Sequence, residues 1–410
     1  MMKSNARLGR LLTDPKAYAQ WWELQDSLAV ARRDSPVSRV EPDGFDPFWV
    51  LTKFDDIREV ERQPDIFRQN GVRVGLHSRA SLAEAESQPP TLSMVVFDGI
   101  DHQNLRGITA GWFGAARVKK LEERLRPLAK AAVDQMLASG DTCEFSEDVA
   151  LRYPLGVICS ILGIPVEDEE IILGLTQKYF SSGRSAKEQD SPTNLDAFRE
   201  LGEYFESMTN DRRRTPRDDI ATVIANAVVD GDVLDHAHAT AYYATIATAG
   251  HDTTSATLAG AIWALCEHPG QYRLLREQPQ LISKIADEAV RWTTPVQQFM
   301  RTAAQPYQLR GQQFEAGDWM LLCYPSGNRD EEFYEDPHRF DVTRSPNNHV
   351  GFGYGAHMCL GMQLARLEIQ IFFEELLPRV REINLDGTPE RASSYFVGGP
   401  NYVPIRFAAV

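Results

Sequence analysis

The stretch His349-Val350-Gly351-Phe352-Gly353-Tyr354-Gly355-Ala356-His357-Met358-Cys359-Leu360-Gly361 decides how this chain is read. Its cysteine is framed by Phe352 and several glycines, and a run with helical periodicity, residues 362–377, follows directly. Glycine reaches φ > 0 at little cost and lets the backbone come close to a bulky planar ligand. The N–H groups that open the following helix favour a negative sulfur. Iron in haem is one of the few partners that takes a single protein thiolate in such a cradle. Two alternatives stay open on the residues alone. An isolated cysteine is often an inert core residue. A cysteine nucleophile needs a basic His and an orienting Asn or Asp, and His357 could be that base only by accident of the loop.

The pattern F-x-x-G-x-H-x-C-x-G, from Phe352 to Gly361, resembles the cysteine loop of the cytochrome P-450 superfamily of haem-thiolate monooxygenases. It departs at one position. Many members carry Arg where this chain has His357, which touches only the identity of one haem-propionate donor. The resemblance implies a haem b cofactor with Cys359 as axial ligand of its iron, and with Phe352, Gly353 and Gly361 against the ring.

A second stretch points the same way. Residues 236–266 have the periodicity of one helix, roughly 31 residues and longer than the usual globular element. In its middle lies Thr248-Ala249-Gly250-His251-Asp252-Thr253-Thr254. A carboxylate halfway along an apolar helix is costly to bury unless paired, and two successive threonines disfavour helix slightly. A run that breaks local rules inside the best-defined element is where function is expected. The alternative is that Asp252 lies on a solvated face. The string A-G-x-D-T-T resembles the superfamily's acid–alcohol pair, which implies catalytic roles for Asp252 and Thr253 over the iron. Ala249 and Gly250 are expected to leave room there for dioxygen and substrate.

Three weaker signals agree in order and spacing. Glu288-Ala289-Val290-Arg291 is an E-x-x-R on a helix, so its ends meet at i, i+3. By resemblance Glu288 and Arg291 form a structural cluster with Arg344, from the Asp-Pro-x-x-Phe-Asp-x-x-Arg stretch. His102 and Arg106 stack one helical turn apart and suit a haem propionate. Arg301 and His357 are the remaining propionate donors. For the E-x-x-R and the His102–Arg106 pair alone, a solvated helix face is the ordinary alternative.

Composition bounds the class. The chain has 410 residues and a formal net charge of −15, which argues against nucleic acid. Its 5 scattered cysteines, with no C-x-x-C spacing, disfavour both a disulfide framework and a zinc site. The first residues lack the apolar core of a signal peptide, and no run reaches about 18 apolar residues. A soluble cytoplasmic enzyme is expected, of the bacterial type that takes electrons from a soluble partner. Helical periodicity marks 118–137, 195–208, 236–266, 280–292 and 362–377; strand-like pieces are 48–52, 307–309, 319–324 and 403–407. A mainly α fold with small peripheral β-sheets is expected, as one cytochrome P-450 domain over 1–410, with haem between the long helix and the cysteine loop.

The likeness reaches below the superfamily. YYATIATAGHDTTS, DEAVRWTTPVQQFMRTA, HVGFGYGAHMCLG and FVGGPNYVPIRF resemble the bacterial enzymes that hydroxylate α-terpineol, which implies a small hydrophobic substrate, a monoterpenoid or alkyl-aromatic. A larger biphenyl-type aromatic, or a non-catalytic haem protein, is the alternative. By position, Thr245 and Thr248 face the cavity from the long helix, with Ala249. Val296, Gln297 and Phe299 face it from the segment before Arg301, and Phe396 and Val397 from the C-terminal turn. Plain core packing is the alternative for each aromatic. Segments 72–96 and 180–194 would form a lid. Electrons are expected from a 2Fe-2S ferredoxin and its NAD(P)H-dependent reductase, since the chain has no flavin or iron–sulfur motif. Arg106, Arg117, Lys119 and Lys120 form a basic cluster suited to an acidic ferredoxin, or else a solvated face. Resemblance alone implies a monomer.

Overall fold

The computed structural model describes residues 2–87, 92–180 and 193–410. Residues 181–192, and with them most of the second lid segment, lie outside these, as do residues 88–91 of the first.

Helices dominate. The expected long element runs His236–Glu267, 32 residues, capped by Asp235, whose carboxylate accepts from the His238 amide. It is apolar nearly all round because other helices cover it, among them Arg152–Leu162, Thr193–Arg214 and Ile282–Thr293. Met362–Leu376 and Ala115–Ala138 also form as their periodicity predicts and pack on each other. No described helix is long and apolar enough to cross a membrane.

The largest sheet has five strands in the order Val37–Val40, Phe48–Leu51, Trp319–Cys323, Gln298–Ala303, Phe67–Arg68. Trp319–Cys323 runs parallel to Phe48–Leu51 and antiparallel to Gln298–Ala303. It is buried along its whole length, and its alternate side chains feed two separate core clusters, so protein covers both faces of the sheet. Gln298–Ala303 was not legible as a strand, because its pattern mixes buried Gln298 and Arg301 with apolar residues. Val380–Leu385 was also missed; its alternation is broken by a register shift between Val380 and Glu382. It pairs with Pro404–Ala409, which pairs with Thr142–Glu144. The main hydrophobic cluster surrounds the long helix.

One polar cluster ties these parts together. Glu288 and Arg291 have no exposed side-chain surface and form two hydrogen bonds of 2.7 and 2.8 Å. Arg291 also donates to the carbonyls of Asn328, Pro337 and Arg339. Glu288 accepts from the Asp341 amide and the Asn347 side chain, and Arg344 lies 3.5 Å from it. Removing one partner of such a pair strands the other charge in low dielectric. Glu288→Ala is therefore expected to destabilise the fold by about 3–5 kcal/mol in urea unfolding. A loss below about 1 kcal/mol, the level of a surface pair, would contradict this.

Candidate active site

Surface exposure along the long helix recurs at helical spacing. Thr245, Ala249, Asp252, Thr253 and Ala256 keep accessible surface, while most of their neighbours are buried. These positions share one face. Ala249 is exposed although it sits mid-way along a helix enclosed by others, so that face borders an internal hollow.

Cys359 has the same double character. The residue is exposed, yet surrounding protein desolvates its thiol enough to push the pKa up. Both hold for a group lining an internal space. The Gly361 and Met362 amides donate to the sulfur, and Arg106 and Arg366 stand near; these pull toward the thiolate but do not outweigh burial. The loop is pinned by Cys359 N–H donating to the Phe352 carbonyl at 2.8 Å. Gly353 and Gly355 have φ of +67° and +72°, and a Cβ on Gly355 would run into the Glu61 carbonyl. Phe352 is half-buried under the Arg366 guanidinium, and Gly361 has open space where a side chain would be.

Four donors far apart in sequence converge beside this loop. The His102 and His357 rings lie 4.0 Å apart, and Arg106 donates to the Met358 carbonyl at 2.7 Å. Arg301, 2 % exposed, lies 3.2 Å from Glu61. His357 pairs with Asp98 at 3.0 Å. Burial drives the His102 pKa down to about 4, with His357 and Arg106 adding to the effect against Asp98. Burial raises Asp98, but His357, the Gln69 amide and Arg301 together hold it below the usual carboxylate range. Among the described residues, Asp98 and Glu61 are the carboxylates bonded to this cationic group. The site offers donors for two propionates, a thiol at Cys359 and open space against Ala249, so the residues fit a haem.

On the long helix, Asp252 lies beside His251, whose Nε2 is 3.3 Å from Asp252 Oδ1. His251 Nδ1 is 2.9 Å from the Ala247 carbonyl, which can only accept, so that nitrogen carries the proton. The Thr253 hydroxyl donates to the Ala249 carbonyl at 2.9 Å and leaves its lone pairs to the hollow. Gly250 corrects an expectation. Its missing Cβ makes room for Ile158 on the packed side of the helix, not for dioxygen. Asp98, Glu61 and His251 escaped the sequence reading; each is an ordinary polar residue until its partner is known.

The expected pocket residues divide. Val296 and Val397 form a β-bridge, the Phe299 and Phe396 rings meet at 5.5 Å, and all four keep some exposure. Thr245 shares a 2.8 Å hydrogen bond with Ser93 of the first lid segment. Thr248 and Gln297 are corrections. Thr248 is 4 % exposed, with its hydroxyl on the Ala244 carbonyl, and Gln297 is 1 % exposed and packed against Gly398. Of the basic cluster, Arg106 turns inward to the loop, and Arg117 bonds Asp218 at 2.6 Å and covers Trp112. Lys119 and Lys120 are exposed.

Residues 195–388, which include the A-G-x-D-T-T, E-x-x-R and cysteine motifs, match the family model of cytochrome P-450. The chain is 40 % identical to cytochrome P-450-terp of a Pseudomonas species, over 98 % of this chain and 97 % of that one. The chain belongs to the cytochrome P-450 family. Methyl-branched lipid omega-hydroxylase of Mycobacterium tuberculosis is 33 % identical over 95 % of this P-450 and 93 % of its own length. Among solved structures, CYP108D1 of Novosphingobium aromaticivorans superposes with a TM-score of 0.93 at 40 % identity, covering 99 % of both chains. CYP268A2 of Mycobacterium marinum, solved with pseudoionone, gives 0.87 at 31 %, over 94 % and 95 %. The fold is thus the P-450 fold and the chain is a monooxygenase, whose family implies a thiolate-ligated haem.

The His102 shift carries a pH consequence. A group whose folded pKa lies below its ordinary 6.5 contributes stability above that value and loses it as pH falls toward about 4. Haem-free protein is expected to lose unfolding free energy across that window, and His102→Gln to lose less. Equal acid sensitivity of the two proteins would contradict the assignment.

Proposed function

We propose that this P-450 hydroxylates a small, largely hydrocarbon substrate, a monoterpenoid or alkyl-aromatic, working as one domain. Dioxygen is the co-substrate, and a 2Fe-2S ferredoxin with its NAD(P)H-dependent reductase supplies the electrons. The likeness to cytochrome P-450-terp over nearly the whole chain carries the substrate class. The pseudoionone-bound relative and the apolar pair Phe299–Phe396 beside the hollow support it.

Haem b, when bound, supplies dioxygen activation and the oxidation of an unactivated C–H bond. Cys359 is its proposed ligand; the Gly361 and Met362 amides stabilise negative charge on the sulfur. His102, Arg106, Arg301 and His357 would hold the propionates, and the Glu288–Arg291–Arg344 cluster would fix the loop behind them. Asp252, with 11 % of its side chain exposed, passes protons from solvent toward the hollow. Thr253, held on the Ala249 carbonyl, accepts a hydrogen bond from a protonated oxygen placed there. Its own proton is engaged by the helix, so the hydroxyl oxygen is what it offers.

Two measurements test this. In turnover with ferredoxin and reductase, Thr253→Ala is expected to keep consuming NADH while most reducing equivalents leave as hydrogen peroxide; unchanged coupling to product would remove the role. Optical titration of the ferric enzyme with α-terpineol, p-cymene, cumene and biphenyl is expected to give its largest low-to-high-spin shift with one of the first three. A shift with biphenyl alone would move the substrate class to larger aromatics.

A further inference from the structure

Glu61 is the last residue of the helix Phe54–Glu61, and its side chain is 1 % exposed. Its Oε1 accepts from Arg301 at 3.2 Å and from the Tyr324 hydroxyl at 2.8 Å, and the Tyr354 amide also donates to the carboxylate. Its Oε2 has no hydrogen-bond partner. Gly353 of the cysteine loop comes close enough that a Cβ there would stand 3.4 Å from Oε1. A buried carboxylate is expensive, and this one is placed between the cysteine loop and the buried Arg301 guanidinium.

We propose that Glu61 positions Arg301 for a haem propionate and takes up a proton when the haem is reduced. This rests on the reading of Arg301 as a propionate donor. A propionate on Arg301 gives one guanidinium two carboxylates to neutralise, and two like charges sharing one site cannot both ionise freely. Reduction adds one negative charge at the iron. The accompanying step at the protein is Glu61 carboxylate plus a solvent proton giving the carboxylic acid, which offsets the added charge.

The groups that face Glu61 leave it as the responsive one. From the sheet comes Arg301, a fixed cation. Tyr324, next to the strand Trp319–Cys323, is kept neutral because burial and then Glu61 raise its pKa well above 10. From the cysteine loop come the Tyr354 amide and ring; Arg58, on the same helix as Glu61, and Arg62, just past its end, stack on that ring at 4.4 and 5.5 Å. Beyond Arg301 stands the Asp98–His357 pair. Burial lifts Glu61 to about 7, against Arg301, Tyr324 and Tyr354. Its proton can therefore exchange near neutrality.

The test is spectroelectrochemical titration of the haem-loaded enzyme between about pH 6 and 8. The wild-type midpoint potential is expected to fall as pH rises. The limit is tenfold in the reduction equilibrium per pH unit, which is 59 mV for a one-electron couple. Glu61→Gln, still showing the thiolate-type carbon monoxide spectrum, is expected to titrate flat. A flat wild type, or an unchanged slope in Glu61→Gln, overturns the proposal and in the second case points to His102, His357 or the propionates.

Should Glu61→Gln fail to fold, infrared difference spectra of wild type grown with isotope-labelled glutamate decide. A label-sensitive protonated-carboxyl band appearing on reduction supports Glu61, and its absence overturns it. Haem affinity of Arg301→Gln separates the two readings. Unchanged affinity removes the propionate from Arg301, whereas lost affinity beside a flat wild-type potential removes the role of Glu61 alone.

Discussion

The buried Glu288–Arg291 pair is the constraint on which the rest of the structure depends. Two charges with no solvent contact have to satisfy every donor and acceptor from the protein itself. They do so by gathering the carbonyls of Asn328, Pro337 and Arg339 and the amide of Asp341. A long irregular segment thereby acquires fixed geometry without forming regular structure. Asn328 passes the order on, since its side-chain oxygen accepts from the Val350 amide at the start of the cysteine loop. The thiol of Cys359 is thus held by a chain of polar contacts that begins on a helix 68 residues earlier in numbering, roughly the span of half a small domain.

The loop is also held from the other side. Gly355 passes directly against the end of the helix Phe54–Glu61, where no side chain fits. Arg106 reaches the Met358 carbonyl, and Asp98 holds His357. These contacts gather the Arg106 and Arg301 guanidinium groups and the His102 and His357 rings beside the loop. Guanidinium groups bond carboxylates strongly, so such a place favours a ligand that brings carboxylates. The depressed His102 pKa reflects its burial first, and the neighbouring His357 and Arg106 after that.

The long helix keeps one face open and closes the others. Gly250 lets Ile158 press in on the packed side, and Thr245, Ala249, Asp252 and Thr253 carry the open face. An acid and an alcohol in consecutive positions reach this edge because 100° of rotation separates them, so both flank Ala249. Gln297 and Thr248 show the limit of counting from a motif. A shift of one residue along a strand or helix is enough to turn a side chain into the packed interior.

What the sequence by itself determined was local and periodic. The 32-residue helix, its A-G-x-D-T-T interruption, the E-x-x-R spacing and the glycine-framed Cys359 are short-range patterns, and each survives as the element or contact its spacing implies. Arg344 could be placed near Glu288 only through a resemblance. The tertiary structure alone decided which distant charges meet. That Asp98 answers His357, that Glu61 answers Arg301, and that Arg117 is spent on Asp218 depend on chain segments more than a hundred residues apart. No local spacing encodes such pairs, because an ion pair constrains distance in space and leaves sequence separation free. The same holds for the strand Gln298–Ala303, whose buried Arg301 is paired inside the sheet by Glu61 from a distant segment.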